Sequence, residues 1–458
     1  MDNLPRQLQA CRQLFSTGIT KSYEWRIARL QRLKAALLAH EEDIYTALAT
    51  DLKKGKEEVW VTETGFALTE LNKTISHLKK WMRPRRIPTN LLNLPSSSRV
   101  YKEPLGTVLI IGPWNYPLQL LLTPLIGALA AGNTVVVKPS EFAPATAAVI
   151  SSIIGDAFDP SEVLFVEGDG ATVIPSMMEQ FVFNHIFYTG STAVGRIIYQ
   201  AAARDLIPVT LELGGKSPCI IEDDANIEVA ARRIMMTKFS NAGQMCVAPD
   251  YILVHSSRKE LFIRECKKAL LAFFGDNPQA SSEYGKIINE KQFDRLAGYL
   301  SQGTAVTGGG SDRASLYIAP TLLDNVSPAS PLMKEEIFGP LLPLISFEER
   351  SEAESIIALN PDPLAFYIFT SSRSNEKYWI SRIPFGGGCV NNAALHLTNP
   401  SLPFGGRGAS GIGKYHGRYS FDTFSHEKGV MRTPTWLDPS IKYPPFKGRL
   451  NLFRKLIR

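Results

Sequence analysis

One cysteine, Cys246, stands in the stretch Lys238-Phe-Ser-Asn-Ala-Gly-Gln-Met-Cys-Val-Ala-Pro-Asp250. Asn241, Ala242 and Gly243 precede it and the apolar run Tyr251-Ile-Leu-Val254 follows, which places the thiol at a loop exit ahead of a strand. A thiol in that position can serve as a nucleophile. Free cysteine is also commonly a small buried hydrophobe. The choice depends on whether the chain supplies a base, an oxyanion donor and a cofactor.

Other residues offer those parts, each with a bland rival. Glu212 lies between Leu211 and Leu213 and before Gly214-Gly215. Burial there would raise its pKa toward the range of a general base, unless it is a structural carboxylate paired with a cation. Pro113-Trp-Asn-Tyr-Pro117 is a turn stiffened by two prolines, able to fix the Asn115 amide as an oxyanion donor or simply to turn the chain. Tyr188-Thr-Gly-Ser-Thr-Ala-Val-Gly195 follows a strand and opens a helix. Gly190, Ser191 and Gly195 would let a phosphate approach the helix N-terminus, or Ser191 or Thr192 merely caps it. Lys138 and Glu141, at a strand end, fit ribose hydroxyls or open solvent. Glu335-Glu-Ile-Phe-Gly-Pro340 adds two carboxylates beside Phe338 and, by charge alone, reads as an acidic helix start. Together, a thiol, a carboxylate base, an amide donor and a phosphate loop fit one reaction. That reaction is thiolate attack on an aldehyde, hydride loss to nicotinamide, and hydrolysis of the thioester.

The elements that must position these groups follow from composition and order. The chain has 458 residues, which predicts two or three domains. Five cysteines without paired spacing argue for a reducing, cytoplasmic setting. Seven scattered histidines give no zinc-binding spacing, so no metal is expected. The N-terminus lacks a secretory layout. Leu118 to Ala131, the most apolar stretch, is too short to span a bilayer, is expected to be broken by Pro124, and reads as a buried core helix. Nearly all of the formal charge of +6 sits beyond Trp436, where Lys442, Lys447, Arg449, Arg454, Lys455 and Arg458 face only Asp438. The remainder is close to neutral, which excludes a broad nucleic-acid-binding face.

Helical periodicity runs from Ile19 to about Met82 and stops at Arg83-Pro-Arg-Arg-Ile-Pro88. Strands are then predicted at 107–111, 134–137, 163–166 and 185–188, alternating with helices from 117, about 146, near 173 and 193. This alternation predicts a doubly wound parallel α/β sheet of Rossmann type, with ligands beyond the carboxyl ends of its strands. It restarts after Glu212 with strand 219–221, helix 227–239, strand 251–254 and a helix from 260 to 274, which predicts a second α/β domain.

The motifs Pro113–Pro117, Val137-Lys-Pro-Ser-Glu141, Thr189–Gly195, Leu211-Glu-Leu-Gly-Gly-Lys-Ser-Pro218, Asn241–Cys246 and Glu335–Pro340 together resemble the aldehyde dehydrogenase superfamily. Tyr415-His-Gly-Arg-Tyr-Ser-Phe-Asp-Thr-Phe-Ser-His426 resembles its class 3 branch, which includes fatty aldehyde dehydrogenases. The resemblance implies Cys246 as nucleophile, Glu212 as the base for deacylation, and Asn115 with the Cys246 N–H as oxyanion donors. It implies cofactor contacts from Trp114, Lys138, Glu141, Gly190, Ser191, Gly195, Glu336 and Phe338. It implies a cofactor domain at 1–82 and 104–211, a catalytic domain at 212–395, bridging segments at 83–103 and 396–435 that pair a homodimer, and a tail at 436–458. Glu141 favours NAD, while class 3 relatives admit NADP. Met245 and Tyr116, with the loop Ala393–Thr398, would shape an apolar entrance for medium- or long-chain aliphatic, aromatic or isoprenoid-derived aldehydes; Gln244 is expected to share that wall.

The tail Arg449-Leu-Asn-Leu-Phe-Arg-Lys-Leu-Ile-Arg458 sets Leu450, Phe453, Leu456 and Ile457 near one helical face among basic residues. It fits an anionic membrane surface, a cover for the substrate mouth, or a helix packed on its own domain. Two rival functions remain at this level: a CoA-acylating dehydrogenase, disfavoured by Glu212, and a non-catalytic binding or structural protein on the same scaffold.

Overall fold

The strand segments Thr107–Ile111, Thr134–Lys138 and His185–Thr189 are buried along their whole length. Runs rich in β-branched residues and apolar on both faces are what a parallel sheet covered by two helix layers requires. Side chains alternate between those layers. Val108, Ile110, Val135 and Val137 enter one core, while Leu109, Ile111 and Val136 enter the other. The computed structural model describes residues 3–456.

These strands form a six-stranded sheet, ordered Gly411–Ile412, Val209–Glu212, His185–Thr189, Thr107–Ile111, Thr134–Lys138, Val163–Phe165. All pairs are parallel except that of Gly411–Ile412, whose Gly411 lies opposite Glu212. The chain winds outward from Thr107–Ile111 in one direction, then returns to its other side at His185–Thr189. The switch point therefore lies between those two strands, where open α/β sheets bind ligands. Register places Ile111 opposite both Lys138 and Tyr188. The loops carrying Asn115, Glu141 and Ser191 consequently leave the sheet along one edge.

A second sheet of seven strands spans Pro218–Ile221 to Gly387–Val390, with Tyr251–His255 paired to Pro218–Ile221 and Leu341–Phe347. A third, antiparallel sheet joins Arg85–Ile87, Ser97–Pro104 and Ser425–Arg432. The doubly wound α/β architecture is as expected. Gly411–Ile412, from within the stretch 396–435, completes the edge of the first sheet rather than the third.

Two local expectations change. Helix Gln119–Ala131 runs through Pro124 without a break, with every residue buried. Proline removes only its own N–H and crowds the Leu120 carbonyl. The surrounding helices Tyr23–Ala39, Gly65–Trp81 and Arg418–Thr423 hold the segment helical. The helix Leu4–Ser16 lies ahead of the periodic region; its Leu4, Leu8 and Cys11 form a narrow buried stripe. In the tail, a short helix covers Leu450–Leu456; Leu450 is exposed and Phe453 half-buried against Phe446, while Ile457 lies outside the described residues. No helix among the described residues is long and apolar enough to cross a membrane.

Candidate active site

Helix Ile227–Phe239 delivers the chain to three consecutive left-handed residues, Asn241 (φ 49°), Ala242 (φ 49°) and Gly243 (φ 74°). Such conformations cost about 1–3 kcal/mol each for non-glycine residues and persist only where surroundings impose them. Glu58 Oε1 accepts the Asn241 N–H at 2.9 Å and the Ser240 hydroxyl at 2.9 Å. The Asn241 amide donates to the carbonyls of Asn115 (2.9 Å) and Gln244 (3.2 Å). Gln244 is fully buried, donating to Asn241 O and Lys286 O and accepting from Ile288 N–H. It braces the loop from inside and is not the tunnel wall expected of it.

The half-buried Cys246 opens onto a cavity of about 630 Å³ that also receives Trp114, Asn115, Gly190, Ser191, Glu212, Glu336 and Phe338. Residues from five separate sequence stretches thus converge on one space, of a size usual for small-molecule sites. Glu212 is buried and neither carboxylate oxygen has a hydrogen-bond partner. Burial pushes its carboxyl well above the usual range. The paired structural carboxylate that stood as its rival reading is absent. Burial, then the charges of Glu336 and Glu212, push the Cys246 thiol up. The Asn115 amide donates one N–H to Gln244 O at 3.0 Å, leaving its second donor free.

Glu336 belongs to a loop, not to a helix start: residues 334–340 contain no helix, because the segment crosses over the cavity between Met333 and strand Leu341–Phe347. Burial first, then the charge of Asp250, push Glu336 up to about 8. Its carboxylate lies so close to Gly214 that a Cβ there would meet Glu336 Oε2 at 1.8 Å. Phe338 (φ 50°) stands edge-on to Trp114, ring centroids 5.2 Å apart.

A nicotinamide dinucleotide suits the other half of this cavity. Ser191 caps helix Thr192–Arg204, accepting the Val194 N–H at 3.4 Å, so the helix start with its free N–H groups faces the cavity. A Cβ on Gly190 would meet the Tyr188 hydroxyl at 2.3 Å, which keeps the approach open to backbone only. Lys138 is buried, not solvated, and pairs with Glu141 at 2.6 Å; Glu141 also accepts the Gly170 N–H at 3.2 Å. Lys138, Glu141, Gly195, Tyr116 and Met245 do not line the cavity. Gly195 instead packs against Leu213, which a Cβ would meet at 2.6 Å, and Tyr116 is buried beneath Lys54.

The aldehyde dehydrogenase family profile matches residues 3–430. The chain belongs to that family. It is 45% identical over 460 residues to 4,4'-diaponeurosporen-aldehyde dehydrogenase of Staphylococcus aureus, covering 100% of both chains. It is 42% identical to aldehyde dehydrogenase family 3 member B1 of Rattus norvegicus, over 98% of this chain and 96% of that one. A solved structure of Staphylococcus aureus AldH in a substrate-bound state matches with TM-score 0.97 and 44% identity, covering 100% of both chains. The resemblance to the class 3 branch is therefore borne out. The protein is an enzyme that oxidises aldehydes, with NAD or NADP as cofactor.

Sequence reading missed the brackets that hold this dehydrogenase's site together. Lys216 donates to Asp250 (2.6 Å) and to the carbonyls of Leu332 and Glu335, and Asp250 accepts the Ile337 N–H at 3.0 Å. Lys238, fully buried, has no hydrogen-bond partner and is pushed down to about 8 by its burial. Gly243 is a tight backbone-to-backbone point between the two loops. Its φ of +74° disfavours a side chain, and a Cβ would stand 2.3 Å from Gly339 O. Gly243→Ala is expected to separate the Cys246 loop from the Glu336 loop and lower aldehyde turnover at least 10-fold. Steady-state rates beside circular dichroism check this; a folded variant with wild-type turnover would show that the contact is dispensable.

Proposed function

We propose that the enzyme oxidises an apolar aldehyde to its carboxylic acid through covalent catalysis at Cys246, with water as the acyl acceptor. The observation that carries this reading is the convergence of Cys246, the unpartnered Glu212 carboxylate and the Asn115 amide on one cavity. Cys246 Sγ, deprotonated by Glu212, bonds to the aldehyde carbon. The resulting oxyanion accepts hydrogen bonds from the free Asn115 N–H and the Cys246 backbone N–H. The chemistry that NAD(P) supplies when bound is acceptance of the aldehyde hydrogen as hydride, which leaves a thioester on Cys246. Glu212, once it has released the thiol proton to solvent, takes a proton from water, the water oxygen bonds to the acyl carbon, and the C–S bond breaks to return Cys246 as thiolate. A carboxylate free of any cation favours water over CoA in that last step.

For the cofactor, Trp114, Gly190, Ser191, Glu336 and Phe338 line its half of the cavity in this reading, with Lys138 and Glu141 at the adenosine ribose. The carboxylate of Glu141, anchored by Lys138 and Gly170, favours a free ribose hydroxyl over a phosphate. NAD is the preferred cofactor and NADP is admitted. For the substrate, half-buried Met245 adjoins Cys246, and an aromatic column of Phe66, Phe404 and His416 flanks Tyr415. Tyr415 in turn lies within electrostatic reach of Glu212 and Cys246. These apolar surroundings, and the relative named for 4,4'-diaponeurosporen-aldehyde, support long aliphatic or isoprenoid-derived aldehydes.

The enzyme is proposed to work in the cytoplasm as a homodimer, paired along the exposed strand Ser425–Arg432, with its tail against an anionic membrane. Trp436, Tyr443, Phe446, Leu450 and Leu452 are all exposed among the basic residues of that tail. Apolar side chains interleaved with cations match the membrane interface. The described tail residues do not line the cavity, which disfavours a cover for the substrate mouth.

Cys246→Ala is expected to abolish NADH formation while cofactor binding, read by protein fluorescence quenching, persists. Glu212→Gln should slow the first turnover and then stall with acyl-enzyme. Because Glu212 acts as its ionised form and its pKa is raised, deacylation should fail as pH drops through a value above the usual ~4.3. The Gln variant should lose that limb; a normal rate and profile would pass the role to Glu336. Across aldehydes of increasing chain length, kcat/KM should rise, with NAD preferred over NADP and Glu141→Gln narrowing that preference. Equal or reversed ratios in the wild type would remove Glu141 as the discriminator. Truncation after Thr435 should leave a dimer by light scattering and abolish co-sedimentation with phosphatidylglycerol vesicles. Retained sedimentation would exclude the tail as the contact, and a monomeric wild type would exclude the dimer.

A further inference from the structure

Lys54 and Glu63 form an ion pair with no exposure of either side chain, Nζ to Oε1 2.7 Å. A buried pair of this kind commonly contributes no more stability than apolar residues of similar volume, and its best-attested use is to fix a register. What this pair touches is the turn that carries Asn115. Lys54 Nζ donates to the Asn115 carbonyl at 3.1 Å and sits 3.9 Å from the centre of the Tyr116 ring. The second Glu63 oxygen accepts the Gln119 N–H at 2.9 Å. The turn is therefore held at both ends, by its carbonyl at 115 and by its N–H at 119. The second lone pair of the Asn115 carbonyl takes the Asn241 amide at 2.9 Å, which ties the same peptide plane to the Cys246 loop.

The local backbone around Glu63 is itself unusual. Residues Trp60–Thr64 form a π-helical turn, closed by Gly65 N–H on the Trp60 carbonyl. Such turns are rare and concentrate at functional sites. Its i→i+5 spacing brings Glu63 toward the same face as Glu58, the residue that accepts the Asn241 N–H. One helical turn thus grips the oxyanion turn and the nucleophile loop together.

We propose that the Lys54–Glu63 pair is a positioning device that orients the Asn115 amide toward the oxyanion. The proposal rests on the reading of Asn115 as an oxyanion donor. Neither Lys54 nor Glu63 lines the cavity, so neither can touch substrate or cofactor there. With both charges removed, Asn115 keeps its identity but loses one of the two donors that fix its peptide plane. Small misplacements of a catalytic group lower rates by up to about 100-fold.

The test is a mutant cycle on the full-length enzyme, with the first-turnover rate of NADH formation read by stopped flow. Lys54→Met with Glu63→Gln removes both charges while keeping an acceptor for the Gln119 N–H. This pair should slow the first turnover about 10- to 100-fold, with the NAD dissociation constant unchanged within twofold. In an Asn115→Ala background the same pair should add less than about twofold, because its effect passes through Asn115. A wild-type first turnover in the pair, or an equal loss in both backgrounds, overturns the proposal. If Asn115→Ala alone leaves the first turnover intact, the oxyanion reading fails and the proposal falls with it. Should the pair not fold, Glu63→Gln alone is read through the same cycle with the same criteria.

Discussion

An ionisable carboxyl held in a buried space without a hydrogen bond is the condition on which the rest of this enzyme depends. Glu212 is buried and no described residue gives it a hydrogen bond, and leaving such a group unmatched costs several kcal/mol in its charged form. The protein relieves that cost by raising its pKa, which also makes it a stronger base. Glu336 shares the cavity, and both carboxylates oppose ionisation of the Cys246 thiol. A thiol that resists ionisation beside a carboxylate that wants a proton is the arrangement from which a transferable proton follows.

That arrangement survives only on a rigid support. Glu212 ends a strand that is paired on both sides, with Thr189 across one edge and Gly411 across the other. Cys246 has no strand beneath it, and its loop is pinned by hydrogen bonds of Glu58, Asn241 and Gln244 instead. The contrast is physical. The proposed base is fixed by the sheet, whereas the proposed nucleophile rides on a strained loop that buried amides over-determine.

Much of this was legible in the chain. Apolar β-branched runs with intervening helices specify a parallel sheet, and the motifs at 113–117, 211–218 and 241–246 carry the reactive groups where the sheet needs them. The unreadable parts share one cause: their partners are far apart in sequence. Glu58 meets Asn241 across 183 positions, and Lys216 meets Glu335 across 119. Neither pairing has a periodicity or local motif. Gln244 looked like a wall residue because its neighbour Cys246 is reactive, yet its amide has three partners inside. Pro124 looked like a helix breaker because propensity describes an isolated helix, and this one is enclosed on all sides. Glu335-Glu336 looked like a helix start because charge does not reveal that the loop beneath is tied down.

The tie itself explains how two halves of the chemistry stay in register. Asp250 stands four residues after Cys246, at the start of strand Tyr251–His255, and accepts the N–H of Ile337, the residue between Glu336 and Phe338. Lys216, four residues after Glu212, donates to that same Asp250 and to the Glu335 carbonyl. The strand that ends at Glu212, the segment that follows Cys246 and the loop that carries Glu336 are thus joined through one carboxylate–ammonium pair. Any shift of the loop that carries Glu336 and Phe338 must strain a charge-assisted hydrogen bond to the segment that follows the thiol. Buried Lys238, 4.0 Å from Asp250 and without a hydrogen bond of its own, adds positive potential to the same point. Its charge thereby offsets part of the upward push that burial and Asp250 give Glu336.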